Sequence, residues 1–320
     1  MTRKVTMTDL ALVAGCSRSQ VSRALNGKAN VAPEVRAQVL AAAAKLNYRN
    51  TANRHQIRIA VIIQRIGGAY GQQMVDALIN AAAGRKWICQ IIQERSLDQV
   101  SPYFFDGVVS LIYNNSWARK WIEERAIPLV MVNSYGTVFD QVYSVDPDSC
   151  QGSRIVLRYL KELGHRKIAR IHFVDEEQSA YHRGEKEFLD AAAQLNLGDS
   201  VRNFQISFPQ ISKRWEAFRA VLAEDFTAIY MIHQHLAIPA ANFIQEAGYR
   251  IPEDVSIIGF DDVPMCDMMV PPLSTMKVRK RELGATAVQR LLDRVADPKR
   301  ECLKMCMATK LVKRQSVSKR

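Results

Sequence analysis

From Ile57 onward, short apolar runs alternate with amphipathic helical patterns, and this alternation restricts the possible folds more than any other feature. The first run, IRIAVII, is rich in β-branched residues, which is typical of a parallel strand buried on both faces. Strands that alternate with helices predict a parallel sheet with helices on both sides. The other predicted strands are 107–112, 127–133, 167–174, 228–232 and 255–260, and the predicted helices are 72–86, 116–125, 151–163, 182–195, 213–224 and 236–247.

About 260 residues follow this pattern, which is long for one sheet and suits two similar lobes. In such folds small ligands bind at the carboxyl ends of the strands. The sequence therefore predicts an α/β fold class: a two-lobed body of parallel sheets flanked by helices at 57–320, preceded by a small all-α head at 1–48 and a short basic linker at 49–56.

The first fifty residues predict three short helices. In the first, Leu10, Val13 and Ala14 recur at helical spacing, and Thr6 or Thr8 can cap it. After a glycine turn, Ser17 is placed to cap a second helix over 18–25. A third helix begins at Pro33, since a first turn tolerates proline. Its predicted buried residues are Val35, Val39, Ala42 and Leu46.

The second of these helices has two contrasting faces. Val21, Ala24 and Leu25 share one side, and the residues that point away from it are Arg18, Ser19, Ser22 and Arg23. This arrangement fits a helix-turn-helix, whose second helix lies in the DNA major groove. Arginine is well shaped to bond guanine O6 and N7 together, and serine can meet a base or a phosphate. An ordinary exposed amphipathic helix is the alternative on these residues alone.

The charge is distributed as a nucleic-acid binder would need. The net charge is +12, and residues 1–58 carry ten Lys/Arg against Asp9 and Glu34. Residues 299–320 carry eight Lys/Arg against Glu301, so the intervening 240 residues sum to about −3. A solvated basic face is the alternative, but a compact basic head on a nearly neutral body favours a nucleic-acid partner.

The run VTMTDLALVAGCSRSQVSRALNGKANVAPEVRAQVLAAAAKLNY (Val5–Tyr48) closely resembles the DNA-binding head of the lactose/galactose-repressor (LacI/GalR) family. By this resemblance Arg18 and Ser19 match the base-reading positions that set operator preference, and Arg23 matches an arginine that reaches a base. The positions that match phosphate contacts are Thr6, Ser17, Ser22, Asn26 and Asn30.

The linker departs from the family pattern. Members follow LNY with a proline and a hinge helix whose leucine wedges into the minor groove. Here Tyr48 is followed by RNTANRHQIRIAV, about six residues shorter, with no leucine between Leu46 and Leu78. The hinge helix is therefore expected to be truncated or absent, and the minor-groove wedge is expected to be missing unless Ile57 replaces it.

The body resembles the family's ligand-binding core, which is itself similar to periplasmic sugar-binding proteins. The matching segments are 148–171, 248–262, 270–276, 283–292 and 311–316, with Gly164-His165 and GFDD (259–262) among them. The segment from Trp87 to Phe105 is short, as in the sensor half of xylose-responsive activators, which hints at a pentose.

The resemblance implies an effector site at the end of the GFDD strand. It predicts that Asp261 accepts hydrogen bonds from effector hydroxyls; a solvated loop pair, or a metal or acid–base site, is the alternative for Asp261-Asp262. Arg183 lies near the family's effector-binding arginine, and His233-Gln234 replace the family's Asn-Asp. Tyr70 is a candidate for stacking on a sugar or for packing, and weaker stacking candidates are Trp215 and Phe208.

Other classes of site find little support in the sequence. The six cysteines lack zinc-type spacing and are expected to be reduced, and no metal or cofactor is expected. No phosphate-binding glycine loop or nucleophile elbow is present, so no catalytic residues are predicted and an enzyme is disfavoured. The N-terminus lacks a signal-peptide core and no stretch is long enough for a membrane span, which predicts a cytoplasmic protein.

These features together predict a sequence-specific transcriptional regulator that represses from a double-stranded operator as a homodimer. A small sugar-like effector in the body is expected to control operator affinity. The alternative is a DNA-binding regulator or architectural protein that has lost its effector response, as the missing Asn-Asp and the short hinge suggest.

Overall fold

The computed structural model describes residues 5–25, 28, 30–46, 48, 57–64, 68–100, 104–112, 127–134, 142–174, 181–207, 215, 218–219, 221–232 and 234–320. The helices within these ranges are α1 Met7–Ala14, α2 Arg18–Leu25, α3 Pro33–Lys45, α4 Ala69–Ala83, α5 Ser149–Glu162, α6 Tyr181–Gln194, α7 Gln234–Glu246, α8 Met265–Met268 and α9 Lys280–Ala296. The strands are β1 Arg58–Ile63, β2 Ile88–Gln93, β3 Gly107–Ser110, β4 Leu129–Val132, β5 Tyr143–Pro147, β6 Ile168–Val174, β7 Val201–Ser207, β8 Ala228–Met231, β9 Ser256–Phe260, β10 Ser274–Lys277, β11 Lys304–Met307 and β12 Lys310–Val312.

The strands form two six-stranded sheets, ordered β11-β5-β4-β3-β1-β2 and β12-β10-β9-β8-β6-β7. The pairs from β5 to β2 and from β10 to β7 are parallel, and β12 is antiparallel to β10. The two compact units of the chain are Met1–Gly67, Gln73–Val145 and Arg281–Met305 for the first, and Gly68–Gln72, Asp146–Lys280 and Cys306–Arg320 for the second. The predicted fold class, parallel sheets flanked by helices, is confirmed.

The inner strands form because continuous apolar runs can be buried on both faces of a sheet. Every residue of β3, β4, β8 and β9 is buried, as are all residues of β1 except Arg58. Each of the six strands predicted from apolar runs is present to within two residues at either end. The predicted helix at 116–125 and part of the one at 213–224 lie outside the described residues.

Three helices form the head around a common core, as predicted. Val21, Ala24 and Leu25 of α2 are buried together with residues of α1 and α3, and the rest of this core is Leu10, Ala14, Val39, Ala42, Ala43 and Tyr48. One expected core residue is wrong: Val13 is exposed, because α1 turns Leu10 and Ala14, four residues apart, towards the core. Of the four residues predicted to be buried in α3 and just after it, Val39 and Ala42 are buried, whereas Val35 and Leu46 are partly buried against the core.

The ends of α1 and α2 follow from short polar signals. Thr6, rather than Thr8, caps α1, and Asp9 bonds back to the Thr6 amide to complete a capping box. Gly15 ends α1 in the left-handed conformation, with φ of 63°. Ser17 accepts from the Gln20 amide at 3.2 Å, as expected of the α2 cap. The predicted linker at 49–56 lies outside the described residues, so its boundaries stay a prediction.

Candidate functional site

The outward face of α2 is the first candidate site. Arg18, Ser19 and Arg23 are exposed, whereas Val21, Ala24 and Leu25 on the opposite side are buried. The core therefore fixes the rotation of α2 about its axis, and the predicted base-reading residues lie on the solvent side.

Hydrogen bonds within the head orient this face. The hydroxyls of Ser17 and Ser19 lie 3.0 Å apart, and Nε of Arg23 donates to the Ser19 carbonyl at 3.3 Å. The Arg23 side chain thus lies along the helix surface beside Ser19. Its two terminal guanidinium nitrogens take no part in this hydrogen bond. A residue that the sequence analysis did not single out, Arg36 of α3, donates to the Lys28 carbonyl at 2.6 Å and holds the loop between α2 and α3.

The residues predicted to contact phosphates differ in their exposure. Thr6, Ser17 and Asn30 are exposed and Ser22 is half-buried, while Asn26 lies outside the described residues. Thr6 and Ser17 cap α1 and α2, so their side chains already bond within the head. The sequence predicted Ser17 as a helix cap and left Thr6 and Thr8 open for α1. The predicted contacts of Thr6 and Ser17 with DNA come in addition to this capping role.

The second candidate site lies at the carboxyl edge of the sheet in the second unit. Strands β6, β8, β9 and β10 are parallel neighbours, so the segments that follow them emerge at one edge. Asp261 directly follows β9, and Arg183 lies near the start of α6 after β6. His233, which follows β8, and Phe208 lie outside the described residues, and so does the Arg183 side chain.

Asp261 is held in an unusual environment for a carboxylate. It is 1% exposed, its φ is 77°, and its amide donates to the Met276 carbonyl at 2.7 Å. Its carboxylate forms an ion pair with the ammonium of Lys280, the first residue of α9. Burial raises the pKa of Asp261, and the nearby Lys280 charge offsets part of that rise.

Asp262, its neighbour in sequence, has quite different contacts. It accepts from Nη2 of Arg314 at 2.8 Å and from the Thr275 hydroxyl at 3.0 Å, and it lies 3.5 Å from the Lys277 ammonium. Burial alone would raise the pKa of Asp262. The hydrogen bond from Arg314 and its positive charge outweigh burial and lower this pKa. Within the described ranges, no three His, Cys, Asp or Glu side chains gather in the way that a metal site requires.

Aromatic residues near this edge divide into two groups. The Tyr70 ring lies 5.3 Å from Nζ of Lys280. It is partly buried and packs against the apolar cluster that includes residues of β6, β8 and β9. Trp215 instead stacks on Phe243 at 4.7 Å and meets Phe218 edge-on, within the apolar cluster on α7. Of the two described stacking candidates, Tyr70 thus lies next to Lys280, the partner of Asp261, while Trp215 packs elsewhere.

The Gly164-His165 turn serves packing in the second unit. His165 is fully buried, with Nδ1 2.9 Å from the Thr227 hydroxyl and Nε2 3.0 Å from the Ser318 carbonyl. Gly164 has φ of 92°, and a Cβ there would lie 2.6 Å from the Arg320 carbonyl oxygen. None of the six cysteines, all of them described, forms a disulfide, and no helix among the described residues is long and apolar enough to cross a membrane.

Comparison with known families gives two matches along the chain. Residues 6–50 match the model of bacterial regulatory proteins, lacI family, and residues 157–317 match the periplasmic binding protein-like domain. The chain is 27% identical over 333 residues to the probable HTH-type transcriptional repressor ExuR of Bacillus subtilis (strain 168), covering 98% of each. It is 26% identical to the HTH-type transcriptional repressor PurR of Vibrio vulnificus (strain CMCP6), covering 98% of this chain and 99% of the relative.

Solved structures share the fold over 82–99% of the chain. A complex of the transcriptional regulator CelR with cellobiose has a TM-score of 0.71 at 23% identity, covering 98% of this chain and all of the other. A regulator from Enterococcus faecium with bound ribose has a TM-score of 0.71 at 21% identity, covering 82% and 99%. The lac repressor dimer bound to operator and an anti-inducer has a TM-score of 0.69 at 22% identity, covering 99% and 100%.

Proposed function

The chain belongs to the LacI family of bacterial regulatory proteins, and we propose that it is a transcriptional repressor that reads its operator with the outward face of α2. The observation that carries this proposal is the exposure of Arg18, Ser19 and Arg23 on a helix whose other face is buried in the head core. A helix fixed in this way can enter the major groove with its first residues over the base edges.

The residues of the head divide into two roles in this proposal. Arg18 and Ser19 begin α2 and read bases, and Arg23, one turn further, reaches a base beside them. Thr6, Ser17, Ser22, Asn26 and Asn30 contact phosphates and set the register without reading sequence. The basic excess of residues 1–58 adds attraction for DNA of any sequence.

We propose a homodimer that binds two half-sites. Two-fold symmetry in the protein requires near two-fold symmetry in the operator. Support comes from the lac repressor, which is a dimer on its operator and shares the fold with this chain. Since chromosomal operators lie in the bacterial cytoplasm, we also propose that location.

The proposed effector is a small sugar bound at the carboxyl edge of the second sheet by Asp261, with Tyr70, Arg183 and His233 near it. Ribose and cellobiose occupy proteins that share this fold, which supports a sugar as the class of ligand. Effector binding changes operator affinity through a coupling free energy of about 1–3 kcal/mol. We propose binding and no catalysis for the body, because the relatives that match 98% of the chain are named as repressors.

A repressor that has lost its effector response is the second candidate. It is favoured by one observation: Lys280 already neutralises the buried Asp261, as it could in a body that binds nothing. The two candidates differ in a thermal unfolding experiment, because only a working sensor is stabilised by saturating sugar.

Selection of binding sites from a random DNA pool tests the repressor itself. The full-length protein is used at one near-physiological salt concentration, since phosphate contacts alone give strong binding when salt is low. We expect an enriched palindrome with half-sites at a single spacing. A pool that shows no enriched sequence would contradict the reading of bases by α2.

A further inference from the structure

We propose that Lys280 is a second polar anchor of the effector site and that, together with Asp261, it selects neutral sugars over acidic ones. This inference rests on the proposed function, because it concerns the ligand of the same site. It assigns a specificity-determining role to a residue that the sequence alone does not distinguish from its basic neighbours Lys277, Arg279 and Arg281.

Two parallel strands bring the charges together. Asp261 follows β9, and Lys280 begins α9 three residues after β10, the parallel neighbour of β9. Both side chains leave the same edge of the sheet, where they form an ion pair that is 8% exposed at Lys280 and 1% exposed at Asp261. The Tyr70 ring lies 5.3 Å from the ammonium, so an aromatic face borders the pair.

Both residues break a local rule of structure. Lys280 is the first residue of a 17-residue helix, where the helix dipole disfavours a positive charge. Asp261 has φ of 77°, a conformation that costs free energy for a residue with a side chain. Such departures gather at functional sites, since a stable core would avoid them. Here the two departures touch each other.

The hydrogen bonding of the pair is incomplete within the protein. Apart from Lys280, the Asp262 amide is the neighbouring donor that acts on the Asp261 carboxylate, and among the described residues neither buried oxygen of Asp261 has a hydrogen bond of ordinary geometry. The Lys280 ammonium has three donors, and beyond Asp261 it has a long 3.5 Å approach to the Asp262 carbonyl. A buried ion pair with unused donors and acceptors is unfavourable unless another group completes it.

The charge of the pair indicates which ligand completes it. A sugar hydroxyl can donate to Asp261 and also accept from Lys280, and two adjacent hydroxyls can satisfy both residues at once. The pair is neutral overall, so it offers no net attraction for an acidic ligand. A ligand carboxylate that approached Lys280 would also meet the negative charge of Asp261.

Calorimetric titration of the full-length protein with D-ribose, D-xylose, D-glucose and D-glucuronate tests this inference. We expect at least one neutral sugar to bind more tightly than D-glucuronate. Lys280→Met removes a charged hydrogen-bond donor and should weaken that neutral sugar by about tenfold or more. Asp261→Asn leaves Lys280 uncompensated, so the preference should move towards D-glucuronate, which a purely structural role would not produce.

Lys277→Met is the matched control, because Lys277 also pairs with an aspartate but is 52% exposed. We expect it to leave sugar affinity and preference unchanged. If Lys280→Met alone fails to fold, the double variant Lys280→Met/Asp261→Asn removes both charges, and we expect it to fold and to lose the neutral sugar.

Three outcomes would overturn the inference, and they separate it from the proposed function. Wild-type binding of D-glucuronate above all neutral sugars would overturn the selectivity while leaving a working sensor. Unchanged neutral-sugar affinity in Lys280→Met would overturn the role of Lys280 alone, whereas unchanged affinity in the double variant would also count against Asp261 as the effector contact of the proposed function. A wild-type protein that binds none of the four sugars would count against both this inference and the effector part of the proposed function.

Discussion

Arg314 donates from Nη2 to Oδ1 of Asp262 at 2.8 Å, while its Nε bonds Oδ1 of Asp267 at 2.5 Å. The same guanidinium reaches the Leu273 carbonyl at 2.8 Å, so Arg314 ties the segment after β12 to the loop that follows β9. Asp261, one residue before Asp262, pairs instead with Lys280. Asp261 and Asp262, for which the sequence alone left a metal or acid–base site open, therefore bind different basic residues, Lys280 and Arg314.

Replacing Arg314 should destabilise the second unit. Arg314→Leu leaves the largely buried Asp262 carboxylate without its guanidinium, and we expect the free energy of unfolding to fall by about 3 kcal/mol. Urea denaturation measures this loss. Lys313→Leu is the adjacent control: its exposed ammonium lies 4.5 Å from the Tyr159 ring, a contact worth about 0.5–1 kcal/mol. Equal losses in the two variants would show that the Arg314 bonds add nothing beyond an exposed charge.

Arg18→Ala should change which DNA the head prefers. We expect a loss of about 1–3 kcal/mol in operator binding and a relaxed preference at one base pair of each half-site, because a bidentate contact to a base is removed. Fluorescence anisotropy with the selected operator and its single-base variants measures both effects at fixed salt. Lys45→Ala removes one exposed charge from the end of α3 and serves as the control. If both variants weaken all sequences alike, Arg18 contacts phosphate and reads no base.

The strands that could be predicted are those whose sequences form continuous, largely apolar runs. The run RIAVII in β1 and SIIGF in β9 need no knowledge of their neighbours. The edge strand β2, ICQIIQ, was not predicted, because its polar Gln90 and Gln93 interrupt the pattern and half of its residues are exposed. Strand β2 forms because it pairs with β1, and its own sequence pattern does not indicate a strand.

The same difference separates the residues of the effector site. The position of Asp261 after a buried strand could be inferred from GFDD and its resemblance to a family. Lys280 could not, since in the segment KVRKRE only burial distinguishes it from Lys277, which is half exposed. A side chain's partner across two strands depends on the register of the sheet, and no local pattern encodes that register.

Gly15→Ala should destabilise the head through its backbone alone. Gly15 has φ of 63° and an added Cβ would meet nothing within 4 Å, so the expected cost is about 1 kcal/mol from the left-handed conformation. Gly71 in α4 has the same open surroundings without a positive φ, so Gly71→Ala should be neutral or stabilising. Thermal unfolding followed by circular dichroism compares the two variants. A loss of the same size in Gly71→Ala would mean that space, and not conformation, decides the effect.

His165 should make the stability of the second unit depend on pH. Burial lowers the pKa of His165, whose Nε2 donates to the Ser318 carbonyl, since that oxygen can only accept, and whose Nδ1 lies 2.9 Å from the Thr227 hydroxyl. As the pH falls through about 6.5, the unfolded chain takes up a proton that the folded protein still refuses. The stabilisation is therefore complete above that pH and decreases below it.

Melting temperatures of the wild type and of His165→Gln at pH 7.5 and pH 5.5 measure this contribution. At pH 7.5 the variant should melt lower, because two buried hydrogen bonds are disturbed. Between pH 7.5 and pH 5.5 it should lose less than the wild type, since glutamine does not titrate and the proton uptake by the unfolded chain at this position is removed. Parallel losses in the two proteins would assign the acid sensitivity to other groups and would contradict a neutral, buried His165.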